Sequence, residues 1–282
     1  MDIVRTIGEC RAFVEAARRR GQTVGFVPTM GTLHDGHLSL LRRARQDCGL
    51  ALASIFVNPT QFAPTEDFAR YPRNLERDAG LARSVGLDAI FAPDAGEIYP
   101  PGCATWVVQE DETVRRWEGE VRPGHFRGVL TVCLKLFSIV QPDRAYFGQK
   151  DFQQALVVRR MARDLDLSLE IVVCETVREP DGLAMSSRNQ YLDPASRRQA
   201  TCIHRGLRAA QAALAAGERD AVRLAESIRQ TIEAAGPCSI DYIAIADPET
   251  LAPLETVART AVALVAVRIG GTRLIDNVLL TP

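Results

Sequence analysis

The stretch Val24-Gly25-Phe26-Val27-Pro28-Thr29-Met30-Gly31-Thr32-Leu33-His34-Asp35-Gly36-His37-Leu38-Ser39-Leu40-Leu41 decides the fold. Val24–Val27 is a short apolar run of the kind a strand buried on both faces requires. Leu38 to Arg45 reads as a helix. A strand, a turn of small residues and a helix start together offer backbone N–H groups and the positive end of a helix dipole, which is where phosphates bind. His34 and His37 lie three residues apart, on one face of the first helical turn. Imidazoles held there can donate hydrogen bonds to phosphoryl oxygens as charge develops in a transition state. The combination predicts chemistry on a nucleoside triphosphate.

Each histidine alone has a blander explanation. A single His near a helix start is most often a solvated cap or a satisfied core residue, and His-x-Gly-His can be a fragment of a metal site. The metal reading is the weaker, because His125 and His204 are the only other histidines and neither has companion ligands at a recognisable spacing. The turn matches neither Gly-x-x-x-x-Gly-Lys-Ser/Thr nor Gly-x-Gly-x-x-Gly, which disfavours P-loop and dinucleotide readings.

Working outward, Thr23–Pro28, Leu50–Val57, Ala89–Ala92, Arg144–Phe147 and Leu169–Val177 read as strands. Ile7–Arg20, Leu38–Asp47, Leu75–Val85, Val129–Gln141 and Phe152–Leu165 read as helices between them. Strand–helix alternation with continuously apolar strands predicts an α/β fold with a parallel sheet covered on both faces. Ligands of such sheets bind beyond the carboxyl ends of the strands. Thr29–His37, Asn58–Phe62, Gly148–Asp151 and Asp181–Asn189 are therefore expected on one sheet edge. Later the pattern changes. Pro194–Ala216 and Asp220–Ala235 read as helices, and Ser239–Ala246, Thr260–Val267 and Thr272–Val278 as strands, the last two joined through Ile269-Gly270-Gly271, a hairpin signal. This predicts a domain of residues 1–179 followed by a smaller α+β domain, 180–282, with an antiparallel sheet.

The 282 residues suffice for one large domain or two medium ones. A formal net charge of -1 leaves no electrostatic footprint for nucleic acid or an anionic membrane. No apolar stretch approaches the length of a membrane span, and the N-terminal residues carry no secretory pattern. Seven scattered cysteines without Cys-x-x-Cys pairs fit buried free thiols in a reducing cytoplasm.

Five further segments offer side chains suited to chemistry. In Gly148-Gln149-Lys150-Asp151 the glycine permits close backbone approach, and Lys150 offers a point charge to phosphates; Asp151 reads equally as a helix cap. Lys135 and Lys150 are the only lysines among 34 basic residues. Asp181–Asn189 is by default a linker. Ser186 and Ser187 nonetheless offer hydroxyls and Arg188 a phosphate-matching fork, which makes the loop a candidate lid. Asn58–Phe62 is by default a turn, within which Gln61 can bond a carboxylate or hydroxyl and Phe62 can wall an apolar group. Arg122–Gly128 reads as a basic, Gly-rich loop before a helix, able to hold an anion or shape the mouth of a site, with His125 an ordinary loop residue. One amide of Gln153-Gln154 is placed to face substrate.

Taken together and in order, these segments resemble the pantoate–β-alanine ligase (pantothenate synthetase) family. The markers are Pro28–Gly31 with His34–His37, Val57–Phe62, Tyr71-Pro72-Arg73, Arg122-x-Gly124-His125-Phe126-x-Gly128-Val129, Tyr146–Asp151 with Gln153-Gln154, and Met185–Asn189. The resemblance implies a Rossmann-like sheet of the nucleotidylyl transferase superfamily, with 180–282 acting as a lid. It implies that His34, His37, Lys150 and Arg188 are catalytic. ATP would be bound by Met30, Gly31, Thr32, Leu33, His34, Asp35, Gly36, His37, Gly148, Gln149, Lys150, Asp151, Val177, Met185, Ser186, Ser187 and Arg188. Gln61 and Gln154 would bind (R)-pantoate, with Gln61 also near β-alanine. Magnesium would ride on the ATP phosphates without a protein metal site, Asp78 being the one carboxylate considered as a contact. A cytoplasmic homodimer, with no nucleic acid or membrane partner, is implied as well. The rivals are another adenylyl transferase, a tRNA synthetase, for which the chain lacks both the length for an anticodon-binding domain and a basic surface charge, and a nucleotide sensor without turnover.

Overall fold

Apolar runs form the strands, and the amphipathic stretches between them form the helices. The computed structural model describes residues 1–64 and 66–282. Its strands are β1 (Asp2–Val4), β2 (Val24–Thr29), β3 (Leu50–Ile55), β4 (Ala89–Phe91), β5 (Arg144–Gly148), β6 (Glu170–Cys174), β7 (Ser239–Ala246), β8 (Ala261–Ile269) and β9 (Thr272–Leu280). Its helices are α1 (Ile7–Arg19), α2 (Asp35–Asp47), α3 (Leu75–Ser84), α4 (Ala95–Ile98), α5 (Glu118–Val121), α6 (His125–Val140), α7 (Phe152–Asp164), α8 (Pro194–Gln199), α9 (Cys202–Ala215) and α10 (Ala221–Glu233).

The chain divides into two units. The first comprises Met1–Glu110, Arg122–Gly148 and Gln153–Glu175. Its six strands lie in the order β1-β4-β3-β2-β5-β6, all parallel. The chain steps outward in one direction from β2 to β4 and then returns to β5 on the other side of β2. Such a reversal is the topological switch point at which open α/β sheets bind ligands. The β2–β3 ladder runs from Val24↔Leu50 to Thr29↔Ile55, whereas the β2–β5 ladder stops at Phe26↔Ala145. Past that pair the two central strands are no longer paired with each other. Val27, Leu33, Leu41, Ala53, Ile90 and Tyr146 are among the fully buried side chains of this core.

Two sequence expectations change here. β1 was not foreseen; three residues at a sheet edge carry too little alternation to register, and β1 exists through its ladder with β4. The segment read as a loop over Arg122–Gly128 is helical from His125, so α6 starts four residues before the expected Val129.

The second unit comprises Asp111–Val121, Gln149–Phe152 and Thr176–Pro282. An antiparallel sheet β7-β8-β9 packs its apolar residues with α9 and α10, among them Ile203, Leu207, Ile228, Val265 and Ile269. Ile269 pairs with Thr272 at the expected Gly270-Gly271 hairpin. Pro194–Ala216 is two helices rather than one. Ile203 N–H bonds Ala200 O at 3.2 Å, a three-residue spacing that interrupts the α-helical ladder between α8 and α9. Asp111–Val121 joins this unit through Glu118, which is buried. Glu118 accepts two bonds from Arg273 on β9 at 2.6 and 3.0 Å and one from the Tyr242 hydroxyl at 2.8 Å. Burial and the neighbouring Glu118 charge raise the Tyr242 phenol well above its ordinary value, so it remains a donor.

Candidate active site

In the first unit the turn after β2 is tightly braced from within. Gly31 has φ +84°, and a Cβ there would meet Asp78 and Ile55 at 3.0 Å, so both conformation and space select glycine. Asp78 on α3 is 1% exposed, and its two oxygens accept from the Thr32 and Leu33 N–H groups at 2.7 and 2.8 Å. Thr32 Oγ1 donates to Pro72 O at 2.9 Å, and Arg77 donates to Leu33 O at 3.1 Å. The turn is therefore clamped before it reaches the histidines. Asp78 is occupied by these two backbone donors and by Arg77 at 3.4 Å, which makes it a pin for the turn. Among the described residues no group of three His, Cys, Asp or Glu is placed to hold a metal ion.

His34 is the N-cap of α2, its Nδ1 accepting from Gly36 N–H at 3.2 Å. His37 lies one turn on, and the two rings stand 4.1 Å apart between centroids at 44°. Two imidazoles thus share the positive end of a 13-residue helix at the carboxyl end of a central strand. Met30 lies beside them in sequence, and its sulfur accepts from Gln61 Nε2 at 3.2 Å.

Gln61 is held by a network that the sequence did not disclose. Asn58 is 1% exposed and donates to Gln61 Oε1 and to Gly128 O, both at 3.1 Å. Its own oxygen accepts from the Thr60 hydroxyl at 2.9 Å and the Tyr99 hydroxyl at 3.0 Å. With Oε1 fixed as the acceptor, the Gln61 amide N–H groups point the other way. Burial raises the Tyr99 phenol, partly offset by its bond to Thr60, so it stays protonated. Gly128, in the first turn of α6, permits the close approach of the 59–61 turn. A Cβ there would lie 2.5 Å from the Thr60 carbonyl carbon and 2.7 Å from Gln61 Cα.

The Arg122–Gly128 segment also braces this turn. Arg122 pairs with Glu66 through two bonds of 2.6 and 2.9 Å and donates to His125 Nε2 at 3.0 Å. Because the guanidinium can only donate, His125 Nε2 accepts. Its Nδ1–H then donates to Gln61 O at 2.8 Å. Arg122 is thus committed to Glu66 and His125 rather than to an anion. Burial would raise the Glu66 carboxyl, but the Arg122 bond and charge outweigh it and hold the pKa below the ordinary value. Phe62 packs against Phe68 and Tyr71, with ring centroids 5.4 and 5.9 Å away. At the start of α7 Gln153 is buried and Gln154 half-buried, so Gln154 is the more accessible of the two amides.

In the second unit Lys150 and Asp151 occupy a single 3-10 turn, Gln149–Asp151, with Nζ 3.8 Å from the Asp151 carboxylate. Val177 and Met185 are joined by the Met185 N–H to Val177 O bond at 3.0 Å. The hairpin between them carries Arg178, paired with the buried Asp276 at 2.6 and 3.0 Å. Past Met185 the Ser186 hydroxyl caps a 3-10 turn, Ser187–Tyr191, by accepting from Arg188 N–H at 3.2 Å. Asn189 ties that turn back to Glu179 at 2.9 Å and Ala184 O at 3.1 Å. Arg197 donates to Glu179 and Asp181 at 2.6 and 2.7 Å. Ser186, Ser187 and Arg188 therefore sit on a braced turn.

The sequence pattern of the family described as pantoate-beta-alanine ligase matches residues 2–279. The chain belongs to the pantoate–β-alanine ligase family. Accordingly it is an ATP-dependent ligase that joins pantoate to β-alanine, as its motifs led us to expect. It is 56% identical over 280 residues to the pantothenate synthetase of Moorella thermoacetica, covering 99% of each chain, and 50% identical to that of Thermotoga petrophila, covering 99% of this chain and all of the relative. Crystallised pantothenate synthetase from Thermus thermophilus superposes with a TM-score of 0.95 at 48% identity, each chain fully covered. The Francisella tularensis ligase, solved with βγ-ATP and β-alanine, gives 0.82 at 34% identity over 99% of this chain and 97% of its own. The parallel sheet with a small antiparallel C-terminal sheet is thus the fold of the family.

Proposed function

We propose that the ligation runs in two steps through an acyl adenylate. The carboxylate of (R)-pantoate attacks the α-phosphorus of Mg-ATP, forming pantoyl adenylate as the bond to the β-phosphate breaks and pyrophosphate leaves. The β-alanine amine then attacks the acyl carbon, expels AMP and loses its extra proton, giving pantothenate. A carboxylate is a poor acylating agent at neutral pH and a mixed anhydride is a good one, which is why ATP is consumed.

The observation that carries this reading is the pair of imidazoles at the α2 N-terminus, just past the carboxyl end of β2. Such a site holds phosphoryl oxygens by oriented N–H groups without reorganisation, and positioning with charge stabilisation supplies most of the acceleration. His37 and His34 act on the α- and β-phosphoryl oxygens, and Lys150 neutralises charge there. The Met30–His37 turn and Gly148–Asp151 bind ATP, with Val177 and Gly148 contributing backbone groups toward adenosine. Ser186, Ser187 and Arg188 hold the phosphates, and Met185 belongs to the same loop. Residues 180–282 serve as the lid. Gln61 and Gln154 bond pantoate, whose dimethyl group packs on Met30 and Phe62. Magnesium enters on the nucleotide phosphates, consistent with the commitment of Asp78 to the turn. No helix among the described residues is long and apolar enough to cross a membrane, and we place the enzyme in the cytoplasm as a homodimer.

The test is pyrophosphate release from Mg-ATP with (R)-pantoate, with and without β-alanine. Release that depends on pantoate, with AMP and pantothenate appearing only when β-alanine is added, is the expected result. Absence of pantoate-dependent release overturns the proposal.

A further inference from the structure

We infer that Asn277, on the last strand of the chain, is a positioning residue for Lys150. This inference rests on the role given to Lys150 above. β9 is apolar on both sides of one polar pair, Leu274-Ile275-Asp276-Asn277-Val278-Leu279-Leu280. Both members of that pair are buried, Asn277 with only 2% of its surface exposed. Burying an amide in a sheet costs stability unless its donors and acceptor are met. Asn277 meets all of them on one loop. Its Nδ2 donates to Gln149 O and Lys150 O, both at 2.9 Å, and its Oδ1 accepts from Gln149 Nε2 at 3.3 Å. None of these side-chain bonds belongs to the sheet's own ladder.

The strand beneath the amide is itself held firmly. Asp276 forms the two-bond pair with Arg178 and also accepts from the Asn277 N–H at 2.8 Å. The carbonyl of Lys150 is therefore fixed to a rigid element, and the Lys150 side chain starts from a defined backbone position. A point charge acting on a phosphoryl group loses effect steeply with misplacement; an error of about 1 Å can cost about 100-fold in rate.

Asn277→Asp keeps the volume but replaces both N–H donors by an oxygen facing two carbonyls. Asn277→Leu removes the bonds altogether. Single-turnover adenylate formation is measured for each variant with native Lys150 and in a Lys150→Ala background, alongside hydrogen exchange of the 149–152 amides and thermal unfolding. We expect Asn277→Asp and Asn277→Leu to slow adenylate formation about 10- to 100-fold, with faster exchange at 149–152, and to add nothing once Lys150 is alanine. Equal slowing in both backgrounds, or no slowing, overturns the positioning role while leaving that of Lys150 intact. A wild-type rate in Lys150→Ala alone overturns the role of Lys150 instead, and the inference with it. Should Asn277→Leu fail to fold, the near-isosteric Asn277→Asp decides.

Discussion

Replacing Gly128 with alanine tests whether the Gln61 turn is held as tightly as its geometry indicates. The added Cβ would sit 2.5 Å from the Thr60 carbonyl carbon and 2.7 Å from Gln61 Cα, both backbone atoms with no rotamer to escape into. Ordinary carbon contacts begin near about 3.5 Å, so the 59–61 turn must retreat by about 1 Å. Overpacking of this kind costs about 1–3 kcal/mol. Against it stands about 1 kcal/mol gained by alanine over glycine within a helix. The net destabilisation is then about 0–2 kcal/mol, too little to unfold the enzyme. Function should suffer more. A displacement of about 1 Å breaks the Asn58 bonds to Gly128 O and Gln61 Oε1 and is expected to lower adenylate formation by about 100-fold. The assay is single-turnover pyrophosphate release over a pantoate series and an ATP series, with a melting curve as control. The loss should fall on the pantoate dependence, with that of ATP little changed. Wild-type pantoate kinetics in a folded Gly128→Ala enzyme would refute the reasoning, because the contact would then have been relieved without moving Gln61.

Removing an oriented donor to a developing phosphoryl charge costs about 100- to 1000-fold; His37→Ala and Lys150→Ala are each expected to show this in single-turnover adenylate formation with unchanged melting. Glu66 supports the Gln61 turn only while ionised. Its folded pKa lies below the ordinary 4.5, so the support is complete above that value and is lost as pH falls through the folded one. Pantoate KM should accordingly rise reversibly in acid, and Glu66→Gln should show the high KM without that pH dependence. Arg178→Ala leaves the Asp276 carboxylate buried without its partner and should lower stability by about 3–5 kcal/mol, read from urea unfolding. Burial pushes the Cys10 and Cys133 thiols up to about 12, so neither should react with iodoacetamide at neutral pH until the protein is unfolded.

What the sequence disclosed is what is encoded locally. The strands β2 to β6 announced themselves as apolar runs, and the His34–His37 turn as a strand, small residues and a helix start. What it withheld is encoded by pairs far apart in the chain. Nothing near Asp78 indicates that its carboxylate will meet the Thr32 and Leu33 N–H groups. Asn58 reads as a turn former because Asn-Pro is a turn signal, and its role emerges only when Tyr99 and Gly128 arrive. His125 and Arg122 looked like loop residues for the same reason. A weak signal existed for Asp276 and Asn277. Two adjacent polar residues inside an apolar strand demand buried partners, although the identity of those partners was beyond reach.

The Glu118–Arg273 pair has a consequence for how the enzyme comes into being on the ribosome. The two residues are 155 positions apart. At about 5–20 residues per second, Glu118 waits roughly 8–30 s for the arginine that will neutralise it. Lys150 likewise precedes Asn277 by 127 positions. A nascent chain that stops short of β9 thus contains every residue we propose for substrate while lacking the anchors that hold Lys150 and the Arg178 hairpin. Such a chain should form adenylate slowly, and its rate should rise once β9 has joined its sheet.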